Sequence, residues 1–391
     1  MLRSLYSGIS GLRAHQTMLD VTGNNIANVN TTAFKGSSVQ FQDTLSQLTA
    51  GAGLANAERG GTNPSQVGLG VQVGGISTNL TQGSTQATGR NTDMMISGDG
   101  YFVTKNGGET LFTRAGSFGW DSLGRLTTED GGLVQGWSAV NGAISTGGAI
   151  GPILIPRGTV SPAKETTSAA VSGNLPSDAA DGTVLTRDVQ VYDGQGNART
   201  LSVSFTFTAA DGSWAAAGAD GTSTGAASLE FTAGKNTGDA TLTVGDVSLD
   251  LSGVSGFAQL KTVGITRQDG QPAGSLQTFN LSSDGSIIGS FSNGATEPLA
   301  RLALATFVNP NGLEKAGASS YRASINAGDA NFGTAGADGF GTLSGGSLEM
   351  SNVDLSQEFT SLIIAQRGFQ ANARIITTSD EVLQELTNLK R

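Results

Sequence analysis

Two apolar stripes, one at each end of the chain, constrain the fold more than any other feature. Leu2, Leu5, Ile9, Leu12, Gln16, Leu19, Gly23 and Ile26 are separated by alternating steps of three and four, and six of the eight are apolar. A strand repeats every second residue, so this spacing specifies a helix with a heptad seam. The far end repeats the pattern through Leu355, Phe359, Leu362, Gln366, Phe369, Ala373, Ile376, Asp380 and Leu383, seven of nine apolar, and Leu386 and Leu389 continue that face. Ser351-x-x-Asp354, just before it, reads as a helix start, because a short oxygen side chain satisfies free N–H groups there. Gln16 and Gln366 are the polar members of the two stripes, and polar residues at such positions set register at some cost in stability. An ordinary exposed-face role is equally consistent with both.

The middle has a different texture. Nine Asp-Gly pairs, from Asp99-Gly100 to Asp338-Gly339, and four Asn-Gly pairs, at Asn106, Asn141, Asn293 and Asn311, all fall between residues 99 and 340. These dipeptides tolerate positive φ and close tight hairpins. Between them run period-two or β-branched segments such as 187–192, 200–208, 240–244 and 302–308. This combination predicts antiparallel sheet. The fold class is therefore mainly β with terminal α-helices: nested, discontinuous β domains plus a coiled-coil-like helical domain built from both ends.

Composition narrows the function classes. The formal net charge is −10, which argues against nucleic acid or an anionic membrane as partner. Residues 1–35 carry a net +2 and residues 342–391 a net −2, so the acidity belongs to the middle. Zero Cys excludes disulfides, thiolate zinc sites and cysteine nucleophiles. A single His, His15, leaves no multi-His metal site. No apolar run approaches the ~18 residues that span a bilayer, so no membrane insertion is expected, and the first residues lack the unbroken apolar core of a cleaved signal. Gly68 to Gly75 has the wrong spacing for a dinucleotide loop and reads as tight backbone packing. Gly234-Lys235 lacks the rest of a phosphate loop, and Asp193 to Asn197 has too few carboxylates for an EF-hand. Pairs such as Glu129-Asp130 are ordinary on an acidic surface, and His15 reads as a helix-surface or subunit-contact residue. No metal, cofactor or catalytic group is expected.

The segment 151–162 holds three of the eight prolines and reads as a crossing between domains, with the return near 268–274. The expected plan is nested. Residues 1–35 with 345–391 form a helical polymerisation domain, 36–70 with 335–344 a connecting segment, 71–150 with 275–334 an inner β domain, and 151–274 an inserted outer β domain.

Leu19-Asp-Val-Thr-Gly-Asn-Asn-Ile-Ala-Asn-Val-Asn-Thr-Thr-Ala-Phe-Lys-Gly36 closely resembles the signature of the axial proteins of the bacterial flagellum, the rod and hook family. Gly346 to Phe359 and Ala365-Gln-Arg-Gly-Phe-Gln-Ala-Asn372 look like that family's other end, and Ile96 to Val103 with Phe112 to Phe118 look like its first β domain. The inserted region matches only in position and composition. Its size, and Leu302 to Gly312, resemble hook members, whereas distal rod members share the ends but generally lack so large an insertion. The resemblance implies a non-enzymatic subunit that assembles with copies of itself into a flexible tube and transmits torque. It also implies contacts with the flagellar rod, the hook cap and the hook-filament junction proteins, and an extracellular position in the flagellum after passage through the flagellar export apparatus without a cleaved signal. A secreted β-rich adhesin and an enzyme on a β scaffold are the readings from other classes. The first would lack paired terminal stripes, and the lone His speaks against the second.

In such a subunit the packing residues are expected to be Leu2, Leu5, Ile9, Leu12, Leu19, Ile26, Leu355, Phe359, Leu362, Phe369, Ile376 and Leu383. Asn24, Asn25, Asn28 and Asn30 bond their own backbone and disfavour helix, so they end the first helix in a shaped joint that Phe34 anchors by burial. Gly8, Gly11 and Gly368 each cost a helix roughly 1 kcal/mol relative to Ala. The terminal helices are therefore expected to order only when neighbouring subunits bury them.

Overall fold

The structure is a computed structural model that describes residues 2–54, 60–140, 142–155, 158–221 and 223–388. It is mainly β with a helix at each end, α1 (Leu2–Ala27) and α2 (Leu355–Asn388). The chain forms two compact units.

The first unit comprises Met1–Ile155, Asn280–Ile288 and Pro298–Arg391. Its sheet runs in the order Thr296–Thr306, Leu133–Ser138, Tyr101–Asn106, Glu109–Thr113, Ser320–Arg322, Glu314–Gly317, with antiparallel neighbours. Both faces of the central strands are covered. Tyr101 and Val103 pack with Phe112, Trp137, Ala303, Ala305 and Phe307 on one face, while Phe102 meets Phe118 edge-on at 5.1 Å on the other. The Asn106-Gly107 signal closes a two-residue hairpin here: Asn106 pairs with Glu109, and Gly107 and Gly108 both take positive φ, as a type I′ turn requires.

A separate ribbon, Ser37–Asp43 with Val71–Thr78, continues as Ser46–Ala50 with Ser65–Gly68. It packs on α1, where Gly70 (φ 128°) lies against Ser10 and the Val71 N–H donates to Ser10 Oγ. The glycine-rich run at 68–75 is thus a packing element. The connecting segment expected from 36–70 with 335–344 has this ribbon in its first part. In its second part, Thr342–Gly345 pairs with Met94–Ser97 as a two-stranded sheet in which Leu343 is buried.

The second unit comprises Pro156–Phe279 and Gly289–Glu297. Its start follows Ile155 rather than Gly151, because Gly151–Pro152 pairs with Gln135 and Gly136 and Ile153 is fully buried within the first unit. Its return reaches past 274, because Ser275 pairs with Val160. A four-stranded meander, Val184–Tyr192, Ala198–Thr208, Ser213–Asp220 and Ser223–Leu229, supplies one sheet. The second sheet centres on Ser168–Asn174, Val247–Ser255 and Gly264–Gln268. The alternation in 200–208 buries Leu201, Val203, Phe205 and Phe207 around Trp214, opposite Leu242, Val244, Leu249 and Leu251. One pairing departs from the antiparallel expectation: Ser168–Asn174 runs parallel to Val247–Ser255. The meander between them acts as a long crossover, which brings the chain back in the same direction.

Candidate assembly interface

The two helices form an antiparallel pair in one register: Gly8 lies beside Ile375 and Ile376, Gly11 beside Asn372, His15 beside Gly368, and Asn25 beside Glu358. At Gly11 and Gly368 the approach is too close for a side chain. A Cβ on Gly11 would sit 2.7 Å from Asn372 Oδ1, and one on Gly368 would sit 2.5 Å from the His15 ring. Asn372 is held in place by donating to the Gly368 carbonyl at 2.9 Å. His15 also meets Phe41 edge-on, its centroid 5.9 Å away, and its Nδ1 has no hydrogen-bond partner among the described residues. His15 is therefore a seam residue within one chain.

The innermost seam lies one position round from the apolar stripes. Gly8, Gly11, Ala14, Thr22 and Asn25 are buried on α1, and Ala365 and Ser379 on α2. Leu5, Ile9, Leu12, Leu19, Ile26, Leu362, Phe369, Ile376 and Leu383 flank it, half-buried. Leu355 and Phe359 are exposed, as are Gln16 and Gln366, which stand outside the helix pair. The side chain of Leu2, and Leu389, lie outside the described residues. Small residues win the centre because they let the two backbones approach, whereas a hydrophobicity pattern marks the larger flanking side chains.

Asp354 starts α2: its Oδ1 accepts from the Ser356 N–H at 2.8 Å and the Gln357 N–H at 3.3 Å, the geometry of an N-cap. The asparagines contribute unequally to the joint, and Asn24 and Asn25, expected to end α1, lie within its last turn. Asn25, buried, does the most, since its Nδ2 donates to the Ser37 carbonyl and to Glu358 Oε1 while its Oδ1 accepts from the Ser37 N–H. One side chain thus ties together the end of α1, the start of the ribbon and the first turns of α2. Asn28 bonds back to Asn24 and accepts from Thr31 Oγ1. Asn30 is exposed. Ala33, buried, takes φ 55°, an uncommon conformation for a non-glycine residue that its N–H bond to the Glu349 carbonyl holds. Phe34 is half-buried beneath the Lys315 ammonium, 5.2 Å from the ring centroid.

Beside the joint is a buried ionic cluster that sequence patterning does not reveal. Lys35 and Glu349 are each 1% exposed. Lys35 Nζ donates to Glu349 Oε1 and, at 2.7 Å, to the Thr81 carbonyl. Arg114 lies 3.7 Å from Glu349 Oε2 and donates to the carbonyls of Gly98 and Gly100. Burial pulls the Lys35 ammonium below its ordinary pKa, partly offset by its bond to Glu349, and burial likewise lowers Lys315. Asn352 completes the clamp by accepting from the Gly36 N–H and donating to the carbonyls of Asn79 and Thr81. The only signal in the sequence was that Lys35, Arg114, Glu349 and Asn352 sit inside the family-like segments. Their charges are far apart in the chain and reveal no pairing.

The helix pair leaves several large apolar side chains uncovered. Ile364, Ile375, Val382 and Leu386, with Ala371, form an exposed row along α2, and Ile364 is 56% exposed. No helix of the described residues is long and apolar enough to cross a membrane.

Comparison with known proteins agrees with this geometry. Three family models match: flagella basal body rod protein over residues 5–35, flagellar hook protein FlgE/F/G D1 domain over 95–186, and flagellar basal body rod FlgEFG protein C-terminal over 344–389. The flagellar hook protein FlgE of Treponema pallidum is 40% identical and that of Borreliella burgdorferi 38% identical, each alignment covering 100% of both chains. The flagellar basal-body rod protein FlgG of Bacillus subtilis is 36% identical, also over 100% of both. The crystal structure of the Helicobacter pylori flagellar hook protein FlgE2 superposes with a TM-score of 0.50 at 14% identity, covering 66% of this chain and 98% of that one, a likeness of fold.

Proposed function

The chain belongs to the flagellar hook and rod protein family, and from that premise we infer that it is a structural subunit of the bacterial flagellar hook. The subunit assembles with copies of itself into a flexible tubular polymer that carries torque from motor to filament. The observation that carries this reading is the exposed apolar row of α2 beside a fully formed helix pair, because a soluble monomer rarely leaves such a row open. The ionic clamp and Asn25 give the subunit a stiff junction through which a load on the helices reaches the β sheet. The packing residues of both stripes act between subunits, and the asparagine joint with Phe34 sets the angle at which the helices leave the β domains.

We read the subunit as non-catalytic. It reaches the cell exterior through the flagellar export apparatus without a cleaved signal, and it meets the rod, the hook cap and the hook-filament junction proteins at the ends of the polymer. The rod reading is the weaker one, since the rod relative is less similar than the two hook relatives. Electron micrographs of the purified chain brought to assembly conditions test the function. Hollow tubes that take curved forms are expected, straight rigid rods would favour the rod reading, and a chain that stays monomeric at every concentration would overturn both.

A further inference from the structure

The shared register of the helix pair leaves one end unmatched. Carried back from Gly8 beside Ile375, it brings the start of α1 opposite Glu381, so Val382 to Asn388 extend past α1 with no partner element. This overhang presents exposed Val382 and Leu386, with Glu381 and Glu385 alongside. The last described turn of α2 contains no basic residue and does contain Glu385, and Lys390 and Arg391 follow in the sequence. A carboxylate in that turn adds to the negative pole of the helix. Neither glutamate has an ion-pair partner among the described residues.

The complement of this end lies elsewhere in the same unit. A groove of about 420 Å³ runs between α1 and the ribbon, with Tyr6, Ile9, Arg13, Thr17, Val71 and Val73 in its walls. Tyr6 is 67% exposed at its edge. The Arg13 guanidinium reaches no carboxylate among the described residues, on a helix whose other charged residues are Arg3 and Asp20. An apolar groove with one unpaired cation matches the apolar stripe of Val382 and Leu386 and the two unpaired glutamates beside it.

We propose that the C-terminal overhang of α2 seats in the α1–ribbon groove of a second copy of this chain, with Val382 and Leu386 against the groove walls and Glu381 and Glu385 facing Arg13. This rests on the self-assembly reading and deepens it by naming the two surfaces. They are different patches of one subunit, so the contact is head-to-tail and can propagate from copy to copy instead of pairing off two subunits, as a helical polymer requires. Desolvated charge pairs in such a contact add affinity and fix its register.

Reciprocal charge reversal in the full-length chain tests it, with wild type as reference. If wild type fails to polymerise, the self-assembly reading itself falls. If it polymerises, Arg13→Glu alone and the pair Glu381→Arg, Glu385→Arg alone should each raise the critical concentration roughly tenfold or more. The monomer's helix content and melting temperature should not change. The decisive arm mixes the two variant proteins: each then carries the complement the other lost, and co-assembly should return to near the wild-type critical concentration. Polymerisation of either variant at the wild-type concentration overturns the proposal. So does rescue only when all three substitutions share one chain, which would make the pairing intramolecular.

Discussion

The second unit and the helix pair bury their apolar residues in opposite ways. In the second unit, strands such as Ala198–Thr208 alternate inward and outward, and their inward residues close on a facing sheet in the same unit, with Trp214 and Leu251 fully buried. In the helix pair the deepest positions are glycine, alanine, serine, threonine and asparagine, while Ile363, Ile364, Ile375 and Val382 face solvent. Large apolar side chains contribute roughly 1.5–3 kcal/mol each when fully buried, so the β unit gains that stabilisation from its own core, whereas the helix pair leaves part of it unrealised.

The largest expected effect is in hydrogen exchange. In the monomer, amides of α1 and α2 should exchange roughly a thousandfold faster than those of the second unit's central strands, as a difference of ~4 kcal/mol in local opening implies. Assembly should remove most of that gap. Equal protection in a verified monomer would mean that the seam alone completes the helices.

Next is Glu349→Ala, which leaves Lys35 and Arg114 buried without their shared carboxylate. Removing one partner of a buried ionic group costs about 3–5 kcal/mol, so denaturant unfolding followed at Trp120 and Trp137, both in the first unit, should shift strongly. The transition followed at Trp214 belongs to the second unit and should stay in place. Movement of both together would show that the units do not unfold independently.

A smaller effect distinguishes the units by pH. Asp269, in the second unit, accepts from the N–H groups of Thr167 and Ser168. Burial pushes its carboxyl up, but these amides and the Thr167 hydroxyl outweigh it and hold the group below its ordinary value of 3.8. A depressed carboxyl stabilises the fold above the unfolded value and loses that contribution as pH falls through the folded one. The second unit should therefore weaken below about pH 4, and Asp269→Asn should flatten that slope. An unchanged slope would assign the acid sensitivity to other carboxylates.

The smallest effect concerns Gln16 and Gln366. Both are exposed in the subunit, so Gln16→Leu with Gln366→Leu should change monomer stability by no more than about 0.5 kcal/mol. If they set register between subunits, the double variant should form polymorphic assemblies. Uniform, native-looking polymers would leave them as plain surface residues.

Much of this architecture was legible because periodicity is a local property. Steps of three and four located α1 and α2, Asp354 marked the start of the second helix, and Asn106-Gly107 marked a hairpin that forms where expected. The parallel pairing of Ser168–Asn174 with Val247–Ser255 was hidden, because a strand's alternation is the same whichever way its neighbour runs. Glycines at 8, 11 and 368 read as helix weakeners, and all three face the partner helix, with no room for a Cβ at Gly11 or Gly368.

By itself, the sequence determined which segments are helix, which are strand and where turns close, since these depend on residues a few positions apart. Its charge balance and absent cysteine excluded several function classes, and the resemblance of its terminal segments to the flagellar axial family pointed to the class of molecule. Only the tertiary structure decided that Lys35 meets Glu349 across 314 positions, that small residues rather than leucines occupy the helix seam, and that α2 outruns α1. Those facts depend on how closely two backbones approach and on which distant charges share a dry pocket, and neither quantity leaves a local pattern in the chain.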